Sequence, residues 1–232
     1  MTTSYLSGLE ATTAIARLSV RRVLRGKAIW FAVALGLLPT LLAIAQRVNG
    51  ADLTQAWNAS LTSYTAILAI VAPILVAASL SDEIDDRTSA YLWSRALPRW
   101  SVVTGKLLGL APIAAAVVAV GLTATWLIQG QGSVGLLACG LAGFTAGALG
   151  ACAISAMVAT LFPRFAVPIA VSWLLLLDGA IGAIDAGVHV IAVSFGARAI
   201  ADGDGGLAAP LSLVTLTAIA LAVAIWRVDR IE

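Results

Sequence analysis

SLSDEIDDRTSAYLWSRALPRWSVVTGK, residues 79–106, is the one long polar island between hydrophobic runs. It holds four of the chain's twelve acids, Asp82, Glu83, Asp85 and Asp86, with Arg87, Arg95, Arg99 and Lys106 behind them. Ser79 or Ser81 is placed to cap a helix whose first turn is acidic, which suits the positive end of a helix dipole, and the basic residues collect toward its far end. The pattern predicts a short helix over 82–97, outside the membrane and held between two spans. Such a helix is a handle by which a soluble partner pushes or pulls the spans.

The rest of the chain is mostly lipid-soluble. Of 232 residues, 60% are hydrophobic and 11% charged, with a mean hydropathy of +0.99, against about 45–50% apolar and about 25% charged in soluble domains. The composition is that of an all-helical integral membrane protein, read as one transmembrane domain over 1–232. A net charge of +2 leaves no basic stripe for a nucleic acid, because the cations are needed for topology. Cys139 and Cys152 lie on one apolar run, point roughly opposite ways and read as packing residues.

Residues 9–26 place Leu9, Ala16, Val20, Val23 and Leu24 on one helical face and Arg17, Arg21, Arg22 and Arg25 on an adjoining arc. This predicts an amphipathic helix in the membrane interface, with a basic pre-span segment that merely sets orientation as the alternative. Six apolar runs of near-spanning length follow, at 28–45, 61–80, 107–128, 134–161, 166–184 and 207–226. The Ala-Ile-Ala at 43–45 resembles a signal-peptidase site, but the charged lead and long apolar run predict a retained anchor. Pro73 predicts a kink in the second span. Six spans put both termini on one side, and that side receives twelve of the fourteen Lys and Arg residues; only Arg47 and Arg198 fall opposite. The positive-inside bias therefore predicts cytoplasmic termini and a cytoplasmic island. Trp30, Trp100, Trp126 and Trp226 fall near span ends as an aromatic belt, Trp57 in the first outer loop, Trp93 on the island and Trp173 mid-span. In the fourth span, Gly143-Phe-Thr-Ala-Gly147 presents a small-xxx-small surface for close helix packing and, more weakly, for a dimer seam.

The island resembles the cytoplasmic loop of the membrane subunits of type-2 ABC exporters, the ABC-2 type permeases. Glu83, Asp85, Asp86, Thr88, Leu92, Arg99, Gly105 and Lys106 fall at matching spacings. Arg87 stands where that family usually has Gly, and Ala96 where it has Pro, with Pro98 two places later. The basic leader, six spans and long outer segment between spans five and six extend the likeness over the whole chain. The resemblance implies a permease of a bacterial cytoplasmic (inner) membrane that pairs with a second permease copy, identical or not, and with two cytoplasmic ATPase subunits. The helix over 82–97 would be the coupling helix, with Asp82, Glu83, Asp85, Asp86, Arg87, Thr88, Leu92, Trp93 and Arg99 toward the ATPase. Residues 9–26 would be the elbow helix.

ATP and Mg²⁺ would then sit on the partner, and no cofactor or metal is expected on this chain. Thr104-Gly105-Lys106-Leu107 lacks the upstream Gly and the following Ser or Thr of a Walker A loop. With one histidine, no Cys pair at metal spacing and no nucleophile beside a base, the chain reads as a transporter subunit rather than an enzyme. Arg95, Arg99 and Lys106 also read as headgroup-level, positive-inside residues. Asp178, Asp185 and His189 share one face if the fifth span continues as a helix, which would line an outer path or hold a cation. The alternative is that the span ends near Gly179 and these groups are wetted at the outer surface, as re-entrant outer helices of the family allow. Two other functions stay open: a stand-alone secondary carrier or channel, and a scaffold anchoring a soluble complex.

Overall fold

A computed structural model describes residues 8–85, 98, 100–130, 133–182, 184, 191–203 and 206–230. Every regular element among them is helical. Six segments are long and apolar enough to cross a bilayer: Lys27–Val48, Leu53–Ser81, Trp100–Gln129, Val134–Leu161, Pro163–Gly182 and Ala208–Asp229. The chain is therefore a multi-pass membrane protein. In chain order the helices are α1 (Gly8–Arg25), α2 (Lys27–Val48), α3 (Leu53–Ala72), α4 (Ala78–Asp85), α5 (Trp100–Gln129), α6 (Val134–Leu161), α7 (Ala166–Ser172), α8 (Gly179–Gly182), α9 (Val193–Asp202) and α10 (Ala208–Asp229).

The second span starts eight residues before the apolar run does. Asp52 accepts from the Thr54 and Gln55 amides at 3.1 and 3.2 Å and so caps α3 at Leu53. Trp57, expected in an outer loop, is instead buried inside this helix, and Ser60 beside it donates to the Ala56 carbonyl. Hydropathy hid this turn because its polar groups are satisfied within the helix. Pro73 does not end the span: it opens a π-helical stretch, Pro73–Ala77, that runs on into α4. A wide turn there accommodates the missing proline N–H without breaking the span.

That continuity corrects the predicted start of the island helix. Ser79 and Ser81 lie inside a helix already under way, and the Ser81 hydroxyl donates back to the Ala78 carbonyl at 3.2 Å instead of capping new amides. The third span likewise begins at Trp100, seven residues before its apolar run, with the Ser101 amide and hydroxyl both bonded to the Pro98 carbonyl.

α6 is the central post. It packs on α3, α5, α7, α9 and α10, and its buried surface mixes Gly140, Gly143, Gly147, Gly150 and alanines with Phe144, Ile154 and Val158, so neighbouring backbones come close at the glycines. Among the described residues, two helices lie outside the six spanning segments: α1 lies against α5 at the end bearing the island, and α9 lies against α6 at the opposite end.

Candidate functional site

At the island end, three pieces meet. The backbone of Asp82, Glu83 and Asp85 is helical and belongs to α4, the tail of the second span. Asp86, Arg87, Thr88, Leu92, Trp93 and Arg99 lie outside the described residues, as does Arg95. Lys106, on the first turns of α5, is 1% exposed, and its Nζ donates to the Ser79 carbonyl of α4. Its expected place among lipid headgroups is thus replaced by an internal tie between the two spans that flank the island. A buried ammonium persists only where hydrogen-bond acceptors replace its water.

The third piece is α1. A Cβ on Gly105 would stand 2.8 Å from the Thr12 carbonyl oxygen, and one on Gly109 2.7 Å from that of Ala16. Only glycine lets these backbones approach so closely. The face α1 turns to the protein is small and partly polar, with Ala11, Thr12, Ser19 and Val23 buried. Of its predicted apolar face, Val23 is buried and Ala16 and Val20 half-buried, while Leu9 and Leu24 are exposed, along with Arg17, Arg21, Arg22 and Arg25. α4 also rests on the turn Pro163–Phe165 between spans four and five. Among the described residues, α1, α4, α5 and the turn Pro163–Phe165 are thus connected to one another at this end.

At the opposite end, Asp178 is 6% exposed. Its two carboxylate oxygens accept from the Val193 and Ser194 amides at 2.7 and 2.8 Å, and the Ser194 hydroxyl returns to the Asp178 carbonyl at 3.2 Å. Asp178 thus caps α9 from fifteen residues away, where the helix's positive end stabilises the anion. The π-helical stretch Trp173–Asp178 leads into this position. The residue is neither wetted nor placed along a continuous path helix, because helix α8 ends at Gly182; Asp185 and His189 lie outside the described residues.

Beside this cap opens a groove of about 640 Å³, lined among others by Thr62, Thr65, Leu174, Ser194, Arg198 and Asp202. Arg198 donates to the Thr62 hydroxyl and stands 3.6 Å from the Asp202 carboxylate, both side chains about one-third exposed. The groove joins an apolar floor to a rim that is charged but close to neutral. Sequence reading did not single out Arg198 or Asp202 for this groove; their i,i+4 spacing was the available signal.

Between the two ends a small polar layer holds spans one to three together. Tyr64 Oη lies 2.9 Å from Thr125 Oγ1, which lies 3.3 Å from Thr40 Oγ1. Gly143 and Gly147, the small-xxx-small surface of α6, are taken up inside the chain: Gly143 meets the Ala197 backbone and Gly147 its methyl group. Those two glycines seat α9 and leave no such surface for a dimer. Both cysteines are free thiols. Among the described residues, no three His, Cys, Asp or Glu side chains are grouped to hold a metal. In comparison with known proteins, no family matches the chain and no curated protein matches it significantly.

Proposed function

We propose that the chain is the membrane-spanning subunit of an ATP-driven exporter of the ABC-2 type, working with a second permease copy and two ATPase subunits that bind ATP and Mg²⁺. The observation that carries this reading is the tie at the island end. The spans on either side of the polar island are joined by Lys106 and Ser79, and α1 is seated on the same stretch of α5 by Gly105 and Gly109. A partner docked on 82–99 would thereby tilt several spans at once, the kind of rigid-body motion that alternating access needs. The bias of Lys and Arg supports a cytoplasmic island and cytoplasmic termini, with α1 read as the elbow helix. The groove by Arg198 and Asp202 then lies on the outer side, at the candidate exit.

A stand-alone carrier is less well supported. It needs charged groups along a path, whereas Lys106 and Asp178, the buried charged residues among those described, sit at opposite ends and each bonds to backbone. The test is co-purification of the tagged chain with a co-expressed ABC ATPase of its source genome, comparing wild type with Glu83→Lys and Asp86→Lys. Loss of bound ATPase, or of its coupled hydrolysis, in variants that stay folded is the expected result. A chain that binds no ATPase and still transports overturns the proposal.

A further inference from the structure

α1 and α2 both lean on α5 but scarcely touch each other. The chain passes from one to the other at Gly26 alone, whose extended backbone makes the corner. Between them remains an apolar crevice of about 530 Å³, lined by Val20 and Leu24 of α1, Val33 and Leu37 of α2, and Ala116 and Val120 of α5, among others. Its α5 wall runs from Leu108 to Val120. At 1.5 Å per residue that is about 18 Å, close to the roughly 15 Å of one leaflet's hydrocarbon.

The lining itself carries no charge, but the helix that forms one wall is cationic on an adjoining, exposed arc. Arg17 and Arg21 each stand one helical turn before a crevice residue, Val20 and Leu24, and therefore flank the same stripe. With Arg25 they form an i, i+4, i+8 ladder of exposed arginines. Among the described residues no carboxylate pairs with any of the three. Like charges at this spacing destabilise a helix unless an anion lies between them.

We infer that this crevice is a binding site for one anionic phospholipid, with its phosphate on the Arg17–Arg21–Arg25 ladder and one acyl chain along α5. Basic residues beside a cleft between membrane helices are a recurrent headgroup site. A zwitterionic lipid offers the same chain with a neutral headgroup and fits only the apolar half. The occupant fills the space that the sparse contact between α1 and α2 leaves open. The inference does not depend on the transport reading.

The test is native mass spectrometry of the full chain from micelles with equal phosphatidylglycerol and phosphatidylcholine. Wild type is compared with Arg17→Gln/Arg21→Gln/Arg25→Gln and with Ala116→Phe, whose ring enters the crevice from an exposed position of α5. Arg21→Gln alone serves if the triple variant fails to fold. Wild type is expected to retain phosphatidylglycerol preferentially, the preference falling about fivefold per arginine removed. Ala116→Phe is expected to lose both lipids, and added inorganic phosphate to displace neither. Equal retention by wild type, undiminished phosphatidylglycerol in either variant, or displacement by phosphate overturns the inference.

Discussion

The two ends of the bundle solve the same problem with similar parts and opposite charges. Each seats a helix that does not cross the membrane on a glycine pair of a spanning helix: α1 on Gly105 and Gly109, α9 on Gly143 and Gly147. Each buries one charged side chain nearby, Lys106 at 1% exposure and Asp178 at 6%, and bonds it to backbone of another element. The difference lies in what the charge joins. Asp178 holds two amides of one helix end with both oxygens, so it fixes the start of α9. Lys106 reaches on a long stem from one span to a carbonyl of another, so it links two spans. The end opposite the island is fixed by a cap on one helix, and the island end by a tie between two spans, which under the proposed function would transmit displacement.

The comparison breaks most visibly at the glycines. A Cβ at Gly143 would collide with the Ala197 carbonyl oxygen and come within 2.9 Å of the Ala201 nitrogen, both backbone atoms of α9. Gly143→Val is expected to cost about 3 kcal/mol or more and to displace α9. Gly109→Val, facing α1, is expected to cost less, because α1 is bounded by the crevice and has room to shift. Thermal unfolding in detergent, with tryptic cleavage at Arg198 as the reporter of α9, separates the two. Equal losses at both sites would remove the distinction between a fixed end and a compliant one.

Asp178 sharpens the point. Asp178→Asn keeps the shape but offers an NH₂ to one of two amides that both need an acceptor, leaving a buried donor unpaired. The expected loss is about 2 kcal/mol, with earlier cleavage at Arg198. If Asp178→Asn unfolds like wild type while transport or substrate binding fails, the carboxylate belongs to a path and not to a cap.

Much of the architecture was legible in the sequence. The six spans follow from apolar run length, since backbone groups in lipid must be satisfied by helices, and 134–161 was read to the residue. What was misread sits where polar groups are satisfied inside the bundle. Trp57 and Ser60 looked like loop because hydropathy counts the hydroxyl and not its bond to Ala56. Ser79 and Ser81 looked like caps because the π-helical stretch after Pro73, which carries the helix through, leaves no mark in composition. Lys106 looked like a headgroup residue because its partner, the Ser79 carbonyl, is supplied by another span. Asp178 had a signal that went unused: α9 begins after Ala192, a residue with no side-chain acceptor, so its amides had to find a cap elsewhere.

Lys106→Met is the smallest of these changes in stability and the most informative about coupling. Methionine keeps most of the stem's volume and loses the ammonium. Replacing a buried charge with an apolar side chain of similar size is often nearly neutral, because the desolvation cost disappears together with the bond. The expected loss is about 1 kcal/mol, below that at Asp178, where the amides stay behind unpaired. The two ends then part in function. If the tie carries displacement between the spans, Lys106→Met should bind the ATPase as wild type does yet uncouple hydrolysis from transport, whereas a purely structural lysine would lower stability and coupling in proportion. Measuring unfolding, partner binding and substrate-stimulated ATPase rate on one preparation distinguishes these outcomes. Arginine at this position keeps the charge but presents a planar fork on a longer stem in place of a point ammonium, so Lys106→Arg should restore charge without restoring coupling.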